Sequence, residues 1–257
     1  MEASLEFIGT ATTLLRLGPH TLLTDPDFRP RGKRAYLGKG LFSKRRTQPA
    51  RQPEELPPVD GVVLSHLHGD HFDPVARARL GKDMPVLTTP AAGRKLTRWG
   101  FHEAHGMRTW EVAGLADGLT VTSVPGEHAP SYARALLPPV MGSVIEASDG
   151  TGTFRVYVTG DTLYRPFLGE VTERLGPLDA MVIHLGGTRA FGILVTMDGD
   201  QGADLVDLIA SPVTVPVHHD DYTVFRSPLG DFLRACRDRG LAGRVRTVGR
   251  GETVPLA

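Results

Sequence analysis

The segment Ser65-His66-Leu67-His68-Gly69-Asp70-His71, directly after the apolar run VDGVVL, puts three imidazoles and a carboxylate within six residues. Alternate side chains of an extended segment share a face, so His66 and His68 can reach one metal ion. After the turn at Gly69, Asp70 and His71 can face a second position beside it. Solvated loop histidines account poorly for this spacing in a chain with ten histidines. Four ligands do not complete a pair of metals, so the fold must bring further ligands to the same place. Three other strand ends offer them: His128 in SVPGEHAP, Asp161 in VYVTGDT, and His218 with His219 in TVPVHHDD. The C-terminal edge of its strands is where an α/β sheet presents functional groups. That several strand ends must meet is the strongest restriction the sequence sets on its fold.

The rest of the chain alternates strands and helices. SLEFI, TTLLRL and HTLLTD read as short strands separated by Gly and Pro turn signals. DPVARARL reads as a helix, with Asp73 as its cap and Pro74 in the first turn. MPVLTTP and AAGRKLTRWG give another strand and helix, and LTVTSVPG, VMGSVIEA and TFRVYVTG read as antiparallel neighbours. The last third alternates strand AMVIHLGG, helix QGADLVDLIAS, strand VTVPVHH, helix PLGDFLRACRDRG and a final strand RVRTVG. With no linker or repeat in 257 residues, one α/β domain over residues 1–257 is expected.

Composition narrows the setting. No apolar run approaches the roughly 18 residues that span a bilayer, and the start MEASLEFIGT lacks the pattern of a secretory signal. The one cysteine, Cys236, sits in a helical stretch and reads as a small core residue, so a reducing cytoplasm is the expectation. Net charge is zero, 29 basic against 29 acidic residues, which gives no reason to expect a nucleic acid partner. Locally the balance fails. Between Asp27 and Glu54 there is no acid, while Arg29, Arg31, Lys33, Arg34, Lys39, Lys44, Arg45 and Arg46 are all basic. Residues 28–58, rich in Pro and Gly without a period, read as a long basic loop or lid. Its plain reading is a solvated loop or a contact in a homo-oligomer. Its sharper reading is a lid whose Arg31, Lys33 and Arg34 meet a small anionic substrate. The interleaved YLGKGLF also suits peripheral lipid contact.

The ligand pattern resembles the metallo-β-lactamase-fold superfamily of metallohydrolases: H-x-H-x-D-H at His66 to His71, an isolated His, Gly-Asp-Thr after a strand, then Pro-x-His. In finer detail LLTDP, LPPVDGVVLSH, YVTGDT and VPVHHDDYTVF are similar to the branch of ascorbate-6-phosphate lactonase and N-acyl-phosphatidylethanolamine phospholipase D-like proteins. The resemblance implies a four-layer αββα sandwich, two mixed sheets face to face with helices outside. It implies that His66, His68 and His128 hold one metal, that Asp70, His71 and His218 hold the other, and that Asp161 bridges them. His218 rather than His219 occupies the histidine of Pro-x-His. Where phospholipase-like members carry Gly-His early, this chain has Thr10, so their substrates do not carry over.

Imidazole and carboxylate donors without sulfur suit two zinc ions, with manganese or iron as alternatives. Water shared by two such ions ionises near neutral pH and can attack an acyl carbon or phosphorus. The expected activity is hydrolysis of an ester, lactone or phosphodiester, with Asp70 orienting the nucleophile. The alternatives are a metal-bound scaffold or sensor without turnover and a β-lactamase-like amide hydrolase. His184, at the end of AMVIHLGG, reads either as a catalytic or substrate-contacting residue or as a core histidine. His219 and Tyr222 are further candidates for substrate contact, and Asp221 for orienting His218. His102, His105 and His20 read as surface residues.

Overall fold

Side chains on a strand alternate between faces, and in this computed structural model that alternation sorts the apolar residues into three layers. The structure describes residues 1–150 and 152–257. The first half contains β1 (Ala3–Gly9), β2 (Thr12–Leu17), β3 (His20–Thr24), the small pair β4 (Arg34–Tyr36) and β5 (Phe42–Lys44), β6 (Gly61–Val63), α1 (Pro74–Arg79), β7 (Val86–Thr88), α2 (Pro90–Arg98) and β8 (Ala104–Gly106). The second contains β9 (Val112–Ala116), β10 (Leu119–Pro125), β11 (Met141–Ser148), β12 (Thr153–Val158), α3 (Glu170–Leu175) and β13 (Ala180–His184). It continues with β14 (Arg189–Ala190), β15 (Ile193–Leu194), α4 (Gly199–Ile209), β16 (Val213–Val217), α5 (Leu229–Asp238) and β17 (Thr253–Pro255).

One sheet runs β17-β1-β2-β3-β6-β7-β8 and the other β16-β13-β12-β11-β10-β9. Both are mixed. β3, β6, β7 and β8 run parallel, as do β12, β13 and β16, while the remaining pairs in these sheets are antiparallel. Leu15, Leu17 and Val63 of the first sheet meet Val121, Ile145, Val156, Val182 and Val215 of the second in the central core. On its other face the first sheet turns Leu14, Leu23 and Val62 toward Ala76 of α1 and Leu96 of α2. The second sheet turns Tyr157, Met181 and Ile183 toward Val206 of α4 and Phe232 of α5. Three apolar layers between four layers of secondary structure make the αββα sandwich of the metallo-β-lactamase fold. Asp73 caps α1 by accepting from the Ala76 amide at 2.8 Å, with Pro74 in the first turn. Cys236 is fully buried in the second sheet's helical layer.

Three expectations need correction. RVRTVG does not form the last strand: Val245 makes a single bridge to Thr214, and the strand that completes the first sheet is β17, antiparallel to β1. With Arg244 in a short 3-10 turn and Gly249 beyond, that stretch offers too little apolar surface to cover a second edge. His20 is only 9% exposed and begins β3, with Asp60 beside it, rather than lying on an open turn. Residues 28–58 are not a solvated loop throughout. Arg45 is fully buried, with Nη1 2.8 Å from Asp27 Oδ2 and Nη2 3.8 Å from Asp221 Oδ1. Arg29 is buried as well and donates to the Arg34 and Gly69 carbonyls at 2.8 and 2.7 Å. Two of the eight bases therefore fasten the segment down. His102 and His105 are exposed, paired with Asp83 and Glu111. Among the described residues, no helix is long and apolar enough to cross a membrane.

Candidate metal centre

β6 is a three-residue strand buried on both faces, and the chain leaves its end as SHLHGDH before α1 begins. β10, β12 and β16 belong to the facing sheet, and the segments after them carry His128, Asp161 and His218. All seven candidate ligands are buried and lie in one cluster at the seam of the two sheets. His66, His68 and His128 form one triad: His66 Nε2 is 2.9 Å and His128 Nε2 3.3 Å from His68 Nδ1. Asp70, His71 and His218 form a second. Asp161 lies between them, 3.2 Å from His71 Nε2, 3.4 Å from His218 Nδ1 and 3.9 Å from His128 Nε2.

The outer nitrogens of four histidines are fixed by acceptors. His128 Nδ1 donates to the Val195 carbonyl at 2.8 Å, and His218 Nδ1 to the Leu185 carbonyl at 3.2 Å. His71 Nδ1 is 3.2 Å from Asp25 Oδ2. The Ser65 hydroxyl donates to Asp25 and so accepts from His66 Nδ1 at 3.0 Å. With a proton held on each outer nitrogen, the Nε2 lone pairs of these four histidines turn inward. Asp70 Oδ1, Asp161 Oδ1, His71 Nε2 and His218 Nε2 are buried without a hydrogen-bond partner. Buried polar atoms are ordinarily satisfied, so converging orphans of this kind are what a pair of cations would occupy.

The electrostatics divides along the same line. Burial, then the neighbouring imidazoles, pushes His66 well below its ordinary value and His68 down to about 3, which leaves that triad neutral. Around the second triad, burial works against the charged forms but is overridden. Asp161 and Asp25 hold His71 well above its ordinary value, and Asp161 and Asp70 raise His218. Asp161 itself is carried well below the usual carboxylate range by His218 and His71, despite burial. A cation at the inner nitrogens would take the place of the second proton.

Asp25 was not expected at this site. It follows β3 and accepts from the Ser65 amide at 2.7 Å while standing between His71 and His184. Burial would raise its carboxyl, but His71 and His184 bring it down to about 2. The signal was present in LLTDP, another acid at a strand end. Asp25, His71 and His184 could also gather an ion, but both oxygens of Asp25 already accept from Ser65.

The candidate substrate contacts separate. His184 is fully buried, stacked behind His71 at 6.0 Å, so it supports the cluster from behind instead of facing a substrate. Tyr222 is buried, and its hydroxyl donates to Asp27 at 2.7 Å, which commits it to the basic segment. Asp221 accepts from the Thr10 amide at 2.7 Å, and the Thr10 carbonyl accepts from the His218 amide at 2.7 Å. Thr10 and His218 both hold left-handed backbone (φ 56° and 61°), strain of the kind that collects at functional sites. His219 points away, 6.5 Å from the Phe7 ring.

Arg34 borders a groove that reaches His68 and Gly69, whereas Arg31 lines a separate recess beside Lys44 and Arg46. Lys33 is exposed and borders neither. A polar depression between α4 and α5, lined by Asp198, Arg226 and Asp231, contains none of the candidate ligands.

The profile of the family described as beta-lactamase superfamily domain matches residues 20–219. An uncharacterised protein of Mycobacterium tuberculosis is 26% identical over 89% of this chain, which spans only 61% of that relative's length. A metal-dependent hydrolase of Pyrococcus horikoshii is 24% identical over 75% of this chain and 80% of its own. The crystal structure described as a possible metal-dependent hydrolase from Veillonella parvula superposes with a TM-score of 0.86 at 21% identity, covering 99% of both chains. The matched span takes in every ligand candidate from His66 to His218, and the chain belongs to the beta-lactamase superfamily domain family.

Proposed function

We propose that the protein is a metal-dependent hydrolase that holds two divalent ions, zinc by the chemistry of its donors, and cleaves an ester, lactone or phosphodiester of an anionic substrate. One observation carries this reading. Four imidazoles with their outer nitrogens fixed turn their lone pairs on one space that also receives orphaned oxygens of Asp70 and Asp161. Two-metal binding would use His66, His68 and His128 on one side and Asp70, His71 and His218 on the other, with Asp161 serving both. Bound there, divalent ions acidify a water near neutral pH and polarise the oxygen of the scissile group.

The chain's own residues supply the rest. Asp70 has two oxygens, so it can face an ion with one and accept a hydrogen bond from an attacking water with the other, which orients that water. Asp25 fixes His71 and, through Ser65, His66, so one carboxylate orients a histidine of each triad. Support for an anionic substrate comes from the groove of about 320 Å³ beside His68, where Arg34, Arg77 and Lys95, with Arg29, outnumber the one acid, Asp73, alongside Tyr36, Phe42 and Trp99. Among the described residues, none of Arg34, Arg77 and Lys95 is in an ion pair with a carboxylate. Arg77 stacks over Trp99 at 4.3 Å, with its charge left for another partner.

Elemental analysis of purified protein, before and after reconstitution, tests the metal reading. Two equivalents of zinc or manganese per chain are expected; one tightly held ion or none after reconstitution would overturn the dinuclear assignment. Assays of loaded protein on lactones, phosphodiesters, thioesters and β-lactams then assign the bond.

A further inference from the structure

The hairpin of β4 and β5 separates two clefts. On the side away from the cationic groove lies a narrow one, walled by Leu37, Leu41, Ala129, Ala190, Ile193 and Val195. Among the described residues its only charged lining residue is Lys39, an exposed side chain. Part of this wall is an apolar cluster of its own, separate from the three layers of the core. Ala129, Ala133 and Ala190 are small where larger side chains would close the gap. Phe191, at the turn between β14 and β15, also borders the cleft and is 72% exposed.

The cleft backs onto two histidines of the first triad, at their outer nitrogens. Ala129 follows His128, whose Nδ1 donates to the carbonyl of Val195, a wall residue. Gly38, another wall residue, is so close to His68 that a methyl group built on it would stand 3.8 Å from His68 Nε2. An apolar recess abutting a dense set of polar ligands, away from the core, has no evident packing purpose. We infer that it is the subsite for an apolar arm of the substrate, held while the scissile group lies over the two histidine triads.

Size limits the arm. The cleft has a volume of about 20 Å³, where a single water needs roughly 10–15 Å³ on the same scale. It takes a short alkyl group or the edge of a small ring, and a long acyl chain would overfill it. The identity of the occupant rests on the hydrolase reading; the existence of an apolar subsite does not.

The test keeps the two apart. In metal-free protein, n-alkanols from ethanol to octanol are titrated while the methyl resonances of Leu37, Leu41, Ile193 and Val195 are followed by NMR. In zinc-loaded protein, n-alkyl hydroxamates, whose two oxygens suit a divalent ion, are titrated by calorimetry. Saturable shifts confined to these methyls are expected with the short alkanols. Hydroxamate affinity should rise about fourfold per methylene, following roughly 0.8 kcal/mol per buried CH₂, and level off after the first carbon or two. Ala190→Leu should bring the plateau to shorter chains and Ile193→Ala should move it to longer ones. Acetohydroxamate binding with no gain on lengthening, together with unmoved methyl resonances, would overturn the subsite and leave the metal reading intact. Alkanol shifts at these methyls without binding of any hydroxamate would uphold the subsite and count against the metal reading.

Discussion

The motif Ser65–His71 beyond β6 and the basic segment before it are both polar, irregular and dense in charge, yet the fold uses them in opposite ways. The motif buries His66 and His68 as neutral imidazoles and leaves Asp70 Oδ1 and His71 Nε2 without a hydrogen-bond partner, converging on one space. The basic segment buries Arg29 and Arg45 against carboxylates and sets the half-buried Arg51 against Glu6, while its other bases are exposed. Orphaned atoms that converge on one space mark where a ligand belongs, whereas a buried cation set against a carboxylate marks where the chain is fastened. Gly69 joins the two regions. A side chain there would meet the Tyr36 carbonyl oxygen at 2.7 Å, so only glycine lets the hairpin rest on the motif's turn.

Substitutions can break this contrast, and the largest effect belongs to the motif. His66→Ala should abolish turnover and lose an ion while leaving thermal unfolding of the metal-free protein nearly unchanged. His218→Ala should do the same for the second position, and His219→Ala should keep both ions and most activity. Loss of metal in His219→Ala alone would mean that the neighbouring histidine is the ligand.

Arg45→Met should act the other way round. It takes from Asp27 its nearest cation, while Asp221 keeps Arg250 at 3.0 Å, a loss of about 3–5 kcal/mol for breaking a buried pair, measured by urea unfolding. Activity per folded molecule should fall far less, and a stability change within about 0.5 kcal/mol would be that of a surface site. Between these extremes stands Asp25→Ala. Removing a carboxylate that orients metal-ligating histidines typically costs about 10–100-fold in metal affinity, and a competition titration with a chelator would measure it. Unchanged affinity would confine Asp25 to packing.

The smallest effects should fall on the exposed bases, and they sharpen the contrast within the segment. Arg34→Glu combined with Arg77→Glu should lower kcat/KM for an anionic substrate several-fold and flatten its salt dependence, because exposed charges are screened over roughly 8–10 Å. Arg31→Glu with Lys33→Glu should change little, since neither borders the groove beside His68. Equal losses from both pairs would point to a diffuse field over the whole segment.

What the sequence could convey followed from how local each signal was. Imidazoles two residues apart at the end of an apolar run state their purpose within a few positions, and the later ligands repeat the same strand-end placement. The layers were accessible for a similar reason, as β1 to β3 and β10 to β12 alternate clearly and α1 carries its own cap. Asp25 escaped notice because one acid after a strand is commonplace until Ser65, His71 and His184 stand around it. Arg45 was illegible because its burial takes Asp27 on one side and Asp221, far along the chain, on the other. Short strands such as β8, β14 and β15 have too few residues to show a period, and RVRTVG showed one without an edge to join.

The placement of the ligands also sets an order of assembly. His66, His68, Asp70 and His71 leave the ribosome together, but His128, Asp161 and His218 belong to strands of the other sheet made later. Neither triad can close on the first half of the chain alone, and the second waits for the end of β16. Once closed, each triad ties the first sheet to the second across their seam. An ion captured there would be the last stitch across a seam that the apolar core already holds together.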